Sequence, residues 1–220
     1  MNTNKLPARH KGFTLIELMV VLTVLGVMMA FAVPNFREAR RNAGLTDTVN
    51  TLVSSVYRTR TEAMKDGVPV VLMPCNDDCT STGTDWQKGW VIFADRNGNG
   101  AYNANTSDDP ANAGYNDGPL VFTQRGDVIP DYIAISVGNG GAVKFSGTGF
   151  PASIGGGSVG DLTITVSRTD RPNDNRYVRR IVLSKSGRVR TCRPDRDSNC
   201  SAGTSTGGGG GGGGSDSGNT

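Results

Sequence analysis

The sequence predicts an α+β chain, in which one long N-terminal helix packs through its second half on an antiparallel β-sheet domain. Three observations predict this. The 21 residues from Phe13 to Val33 form an apolar run broken by a single charged side chain, Glu17. After Pro34, Leu45, Val49, Leu52, Val53 and Val56 recur at i, i+4, i+7, i+8 and i+11, which is one face of a helix. Beyond Gly67 the pattern changes to short stretches rich in β-branched and aromatic residues, separated by Gly, Asn and Asp clusters.

Residues 1–12 are polar and basic, with Lys5, Arg9 and Lys11 and no acid. The run 13–33 is about 31 Å long as a helix at about 1.5 Å per residue, enough to cross a bilayer core. Basic residues before it favour a cytoplasmic N-terminus, so the expected placement is a single pass through the inner membrane with the globular part periplasmic. A secretory signal peptide is the alternative, with Ala30-Phe31-Ala32 as a rough small-x-small cleavage site. Glu17 argues against it, because a carboxylate in lipid is costly and usually marks function.

Residues 34–66 read as an amphipathic helix ending at Asp66-Gly67, with a kink expected at Pro34. Residues 67–200 read as a β-rich domain with a basic C-terminal end. Its candidate strands are Val68–Met73, Gly89–Ala94, Leu120–Phe122, Tyr132–Val137, Ala142–Phe145, Leu162–Ser167, Tyr177–Ser184 and Arg188–Cys192. Residues 201–220 hold eight consecutive glycines, Gly207 to Gly214, and are expected to be a disordered tail.

The net charge of +3 falls to zero once Lys5, Arg9 and Lys11 are set aside. Between Cys75 and Tyr132 nine Asp face three basic residues, and between Arg168 and Asp197 ten basic residues face four Asp. A neutral chain with an acidic middle and a basic end points to a partner at the basic end more than to a fold. The only histidine, His10, precedes the apolar run, so no Ser-His or Cys-His catalytic pair is available after it. No CxxC or His-containing spacing suggests zinc, and no cofactor is expected. The four cysteines form two close pairs, Cys75/Cys79 and Cys192/Cys200. In an exported chain they are expected as disulfides with three possible connectivities, the two local ones favoured.

Lys11-Gly12-Phe13-Thr14-Leu15-Ile16-Glu17-Leu18 resembles the prepilin peptidase signature of type IV pilins and pseudopilins. The resemblance implies cleavage between Gly12 and Phe13 by prepilin peptidase, N-methylation of Phe13, and the type IV pilin-like fold. It implies movement from the membrane into a pilus at the cell surface among other pilin subunits. Glu17, fifth from the new terminus, would neutralise a neighbour's terminal amine, since either charge buried alone is expensive.

Trp86-Gln-Lys-Gly89-Trp90-Val-Ile-Phe93-Ala-Asp95 is similar to the GspH/FimT family of minor pilins. As a strand it points Trp90, Ile92 and Ala94 one way and Val91, Phe93 and Asp95 the other. The following Asp95-Arg-Asn97-Gly-Asn99-Gly100 resembles the start of a calcium loop, but Thr106 stands where an EF-hand has its final Glu. The favoured reading is an Asx-rich turn at a strand end.

Gly187-Arg188-Val189-Arg190 resembles the Gly-Arg-x-Arg motif of FimT-type minor pilins that bind DNA in natural transformation. On a strand it puts both guanidiniums on one face, roughly 7 Å apart, with Arg179, Arg180, Lys185, Arg193 and Arg196 near in sequence. The expected function is therefore a minor pilin that binds double-stranded DNA without sequence preference. The alternative is a structural minor pilin or pseudopilin, like FimU or the H subunit of type II secretion, that primes assembly. An enzyme is not expected.

Overall fold

The computed structural model describes residues 12–102, 121–126, 129–138, 141–154 and 161–200, leaving aside the side chains at 32–35 and 125. The residues before Gly12, the segment with Thr106 and Leu120, and the tail 201–220 lie outside them. A single helix, α1, runs Leu15–Asp66 and stays helical through Pro34. The chain divides into two compact units, Met1–Ala43 and Gly44–Thr220.

In the first unit every side chain from Gly12 to Phe31 is exposed. The expected kink is present: α1 bends by 40° between Leu15–Phe31 and Phe36–Asp66, and by length and composition no single helix among the described residues is long and apolar enough to cross a membrane, whereas these two pieces pass that test as a pair.

In the second unit α1 ends where Gly67 adopts φ +66° and its N–H donates to the Ala63 carbonyl at 3.0 Å. Only glycine takes this left-handed cap without strain. Among the described residues nine strands follow: β1 (Val70–Pro74), β2 (Gly89–Ala94), β3 (Phe122–Arg125), β4 (Ile133–Val137), β5 (Val143–Phe145), β6 (Pro151–Ala152), β7 (Leu162–Arg168), β8 (Val178–Leu183) and β9 (Val189–Cys192). They form two antiparallel sheets, ordered β3-β2-β1-β5-β6 and β4-β7-β8-β9. The sequence points to all but β6, whose two residues include a proline that suits an edge. It sets β3 too early, because the stretch that pairs with Gly89–Ile92 is Phe122–Arg125. The Gln87 side-chain amide, just before β2, donates to the Ile133 carbonyl at the start of β4 and so ties one sheet to the other.

Both sheets and the helix share one core. Leu45, Val49, Leu52 and Val56 of α1 pack with Trp90 and Ile92 of β2, Ile164 and Val166 of β7, and Ile181 and Leu183 of β8. Within it the Trp90 indole N–H donates to Ser55 Oγ at 2.8 Å, so the buried polar edge is satisfied. The far face of β2 is buried too. Val91 packs on Cys75 and Cys79, and Phe93 on Val71, Ala142 and the ring of Tyr102. The alternation expected for β2 is present, but it separates two cores and not core from solvent.

Candidate functional site

Two regions carry the residues singled out by the sequence. The first is the start of α1. Phe13 is 91% exposed, and Gly12 beside it has open space around its Cα. Thr14 is the N-cap: its Oγ1 accepts from the Glu17 N–H at 3.2 Å, while Glu17 Oε2 accepts from the Thr14 N–H and hydroxyl at 3.1 Å. This reciprocal capping box satisfies amide donors the helix start would otherwise leave open. Glu17 therefore has a structural role that the sequence argument missed, although the Thr-x-x-Glu spacing signals it. Around it Leu15, Ile16, Leu18, Met19 and Val20 are all more than half exposed. These twenty apolar-rich residues, uncovered by any described residue, form a large exposed apolar surface of the kind that marks a contact with lipid or other helices.

The second region is the β8–β9 hairpin and the loop that follows it. The Gly187 N–H donates to the Ser184 carbonyl at 2.8 Å, and the Ser184 N–H to the Arg188 carbonyl at 3.0 Å. Gly187 sits in this turn at φ +80°, which the turn requires and a side chain resists. Arg60 of α1 donates to the Gly187 carbonyl at 3.0 Å and fixes the turn against the helix. Pairing of Val182 with Arg190 and Arg180 with Cys192 puts these four on the sheet face away from α1. Arg188 stands in the hairpin turn, one residue before β9 begins.

The cysteines are joined locally, Cys75 to Cys79 and Cys192 to Cys200. The second bond folds residues 193–199 into a loop against Val182, and arginines hold it there. Arg190 pairs with Asp197 at 3.1 Å and donates to the Asn199 carbonyl at 2.7 Å, and Arg180 donates to the Cys200 carbonyl. Arg188 and Lys185 are exposed, with no side-chain partner among the described residues.

Arg179 and Arg193 do not join Arg188. Arg179 lies opposite Val166, a core residue, and so is on the helix side of the sheet. There it lines a cleft of about 460 Å³ with Thr46, Asn50, Thr191, Arg193 and Arg196. Burial, then the charges of Arg193 and Arg196, push the Arg179 guanidinium below its ordinary pKa, and Asp195 opposes them. The hydrogen bond from Arg193 holds the Asp195 carboxyl below its ordinary value. The basic residues expected as one patch are thus split between two sheet faces, because residues adjacent in a strand point oppositely.

The Asp95–Gly100 turn holds a cation of its own. Lys144 Nζ lies 2.6 Å from Asp95 Oδ2 and 3.3 Å from the Gly98 carbonyl, with the two side chains 8% and 0% exposed. The side-chain oxygens of Asn97 and Asn99 accept backbone N–H groups of the turn. Among the described residues no group of three or more His, Cys, Asp or Glu could hold a metal ion.

Residues 7–33 match the prokaryotic N-terminal methylation motif, and residues 48–187 match the family described as type II transport protein GspH. Prepilin peptidase-dependent protein D of Escherichia coli is 43% identical over 54 residues, 24% of this chain and 36% of that protein. The chain therefore spans only about a third of that relative. Pilin-like protein PilA1 of Thermus thermophilus is 27% identical over 151 residues, 61% of this chain and 90% of that protein. Among solved structures, the type IV minor pilin FimU of Pseudomonas aeruginosa superposes with a TM-score of 0.46 at 14% identity, covering 69% of this chain and 90% of FimU. The minor pseudopilin EpsH of Vibrio cholerae gives 0.41 at 8%, covering 68% and 96%.

Proposed function

Because the chain belongs to the GspH family of type IV pilin-like proteins, which are structural subunits and not enzymes, we propose that it is a minor subunit built into a type IV pilus or pseudopilus. The observation that carries this is the bare apolar surface from Phe13 to Phe31 with one carboxylate at its start. In the inner membrane lipid covers that surface, and in a filament neighbouring helices cover it. Prepilin peptidase cuts after Gly12, and the amine of Phe13 then meets the Glu17 carboxylate of an adjacent subunit.

The test is Glu17→Gln, which keeps the capping box and removes only the charge. Membrane insertion stays normal, and the variant is missing from sheared filaments probed with an antibody to the globular unit. Incorporation at the parental level refutes the role given to the carboxylate.

A second reading, capture of double-stranded DNA during transformation, is favoured by one observation: Arg188 and Lys185 stand exposed and without described partners at the hairpin turn. Arg190 is instead bound to Asp197 and Asn199. No reading helix lies in this hairpin, so contacts go to phosphate. Arg188→Ala flattens the dependence of log affinity on log salt by about 0.9 per lost phosphate contact. Arg190→Ala acts chiefly by loosening the 192–200 loop. Unchanged DNA affinity in Arg188→Ala removes the Gly-Arg-x-Arg assignment.

A further inference from the structure

We propose that the cleft between α1 and the end of β9 is a second phosphate-binding point, and that with Lys185 and Arg188 it grips a DNA duplex from both ends of the β9 edge. This rests on the DNA reading above and adds a site to it.

Charge carries the first step. Arg179, Arg193 and Arg196 line the cleft, and among the described residues the one carboxylate paired with any of them is Asp195, 2.9 Å from Arg193 and 3.9 Å from Arg196. Asp197 also lines it but is cancelled by Arg190. Three guanidiniums against one carboxylate leave an excess of two positive charges. Arg179 is the telling member. It is half-buried, and its described hydrogen bonds go only to the carbonyls of Arg176 and Val178, both at 2.9 Å. A partly desolvated guanidinium without a carboxylate, beside two others, is arranged for an incoming oxyanion. The hydroxyls of Thr46 and Thr191 and the amide of Asn50 line the same cleft without adding charge.

Spacing carries the second step. β9 is the last strand of its sheet, and among the described residues no strand pairs with its outer edge. From Arg188 to Arg193 are five residue steps, about 17 Å along a strand at about 3.4 Å per residue. One DNA strand carries a phosphate about every 3.4 Å of helix axis, so the two basic points lie about five base-pair steps apart. Five steps are about half a turn of B-DNA and carry one strand to the far side of the duplex, so a duplex laid along the edge meets the two points with phosphates of its two strands, on either side of a groove. A lone carboxylate on a protein partner needs only the cleft and leaves Arg188 and Lys185 unused.

The test uses the full chain in detergent micelles and a fluorescent duplex of about 20 base pairs, titrated across a salt series. Arg196 is 73% exposed, so Arg196→Ala leaves the fold intact. It is expected to weaken binding and to reduce the salt slope by about 0.9. Arg179→Ala/Arg196→Ala should reduce it by about two such steps, and Lys185→Ala/Arg188→Ala by a similar amount. Inorganic pyrophosphate should perturb the NMR side-chain N–H signals of Arg179 and Arg196, and still do so in the Lys185→Ala/Arg188→Ala variant. If both cleft variants keep the parental slope while Lys185→Ala/Arg188→Ala loses it, the cleft proposal is overturned and the DNA reading stands. If the parent does not bind the duplex at low salt, both fall. If the cleft variants lose only the binding of other pilin subunits, the cleft is a protein site and the proposal is wrong.

Discussion

Replacing Lys144 by methionine removes the ammonium that Asp95 faces and leaves the stem of the side chain in place. Asp95 is fully buried, and its Oδ2 is held by Lys144 at 2.6 Å and by the Gly100 N–H at 3.0 Å. Its Oδ1 is buried without a hydrogen-bond partner among the described residues. Breaking a buried ion pair from one side costs about 3–5 kcal/mol, because the remaining charge stays uncompensated. With a urea m-value of about 2 kcal/mol/M, the unfolding midpoint falls by about 2 M. Fluorescence of Trp86 and Trp90, which pack 6.2 Å apart at the core, reports the transition in the full chain in mild detergent. Adding Asp95→Asn to Lys144→Met removes the stranded charge but keeps an acceptor for Gly100, and should recover most of the loss. A cost under about 1 kcal/mol for Lys144→Met, or a double variant no more stable than the single one, refutes the idea that Lys144 is the cation of this turn.

Mass spectrometry of the mature protein should find N-methyl-Phe13 at its terminus, and a terminus after Ala32 contradicts the processing inferred from the methylation motif. Arg168 is fully buried, held by two hydrogen bonds to Asp170 at 2.9 and 2.7 Å and stacked 4.5 Å from the Tyr177 ring. Asp170→Ala should therefore cost about 3 kcal/mol or more in urea unfolding, far beyond an ordinary surface change. Asp195 is held below its ordinary value of 3.8 by Arg193, so its stabilising contribution is complete above that pH and is lost only as the pH falls through the lower folded value. The side-chain carboxyl signal of Asp195 should titrate with a midpoint below 3.8, and a midpoint at or above that value refutes the hold by Arg193. Cys192→Ser/Cys200→Ser should free the 192–200 loop, weaken the Arg190–Asp197 pair and raise hydrogen exchange at β9, while leaving β1 and β2 protected.

The helix face of Leu45, Val49, Leu52 and Val56, the capped end at Gly67 and most of the strands were legible in the sequence, because each is a local pattern with its own period or breaker. The methylation motif was legible for the same reason: its residues are contiguous, and it describes a segment without tertiary cover. Only the tertiary structure decided what depends on register. It buried both faces of β2, which alternation alone cannot distinguish from a half-exposed strand. It parted Arg179 from Arg180, and so divided one basic block of sequence between an open hairpin face and a cleft under the sheet. It assigned Arg190 to Asp197 and Asn199 and left Arg188 unpaired among the described residues, although the two look equivalent in the motif. It also brought Lys144 to Asp95 across 49 residues. A charge this far along the chain carries no local signal, and only the packing of β5 beside β1 sets the distance that makes the pair.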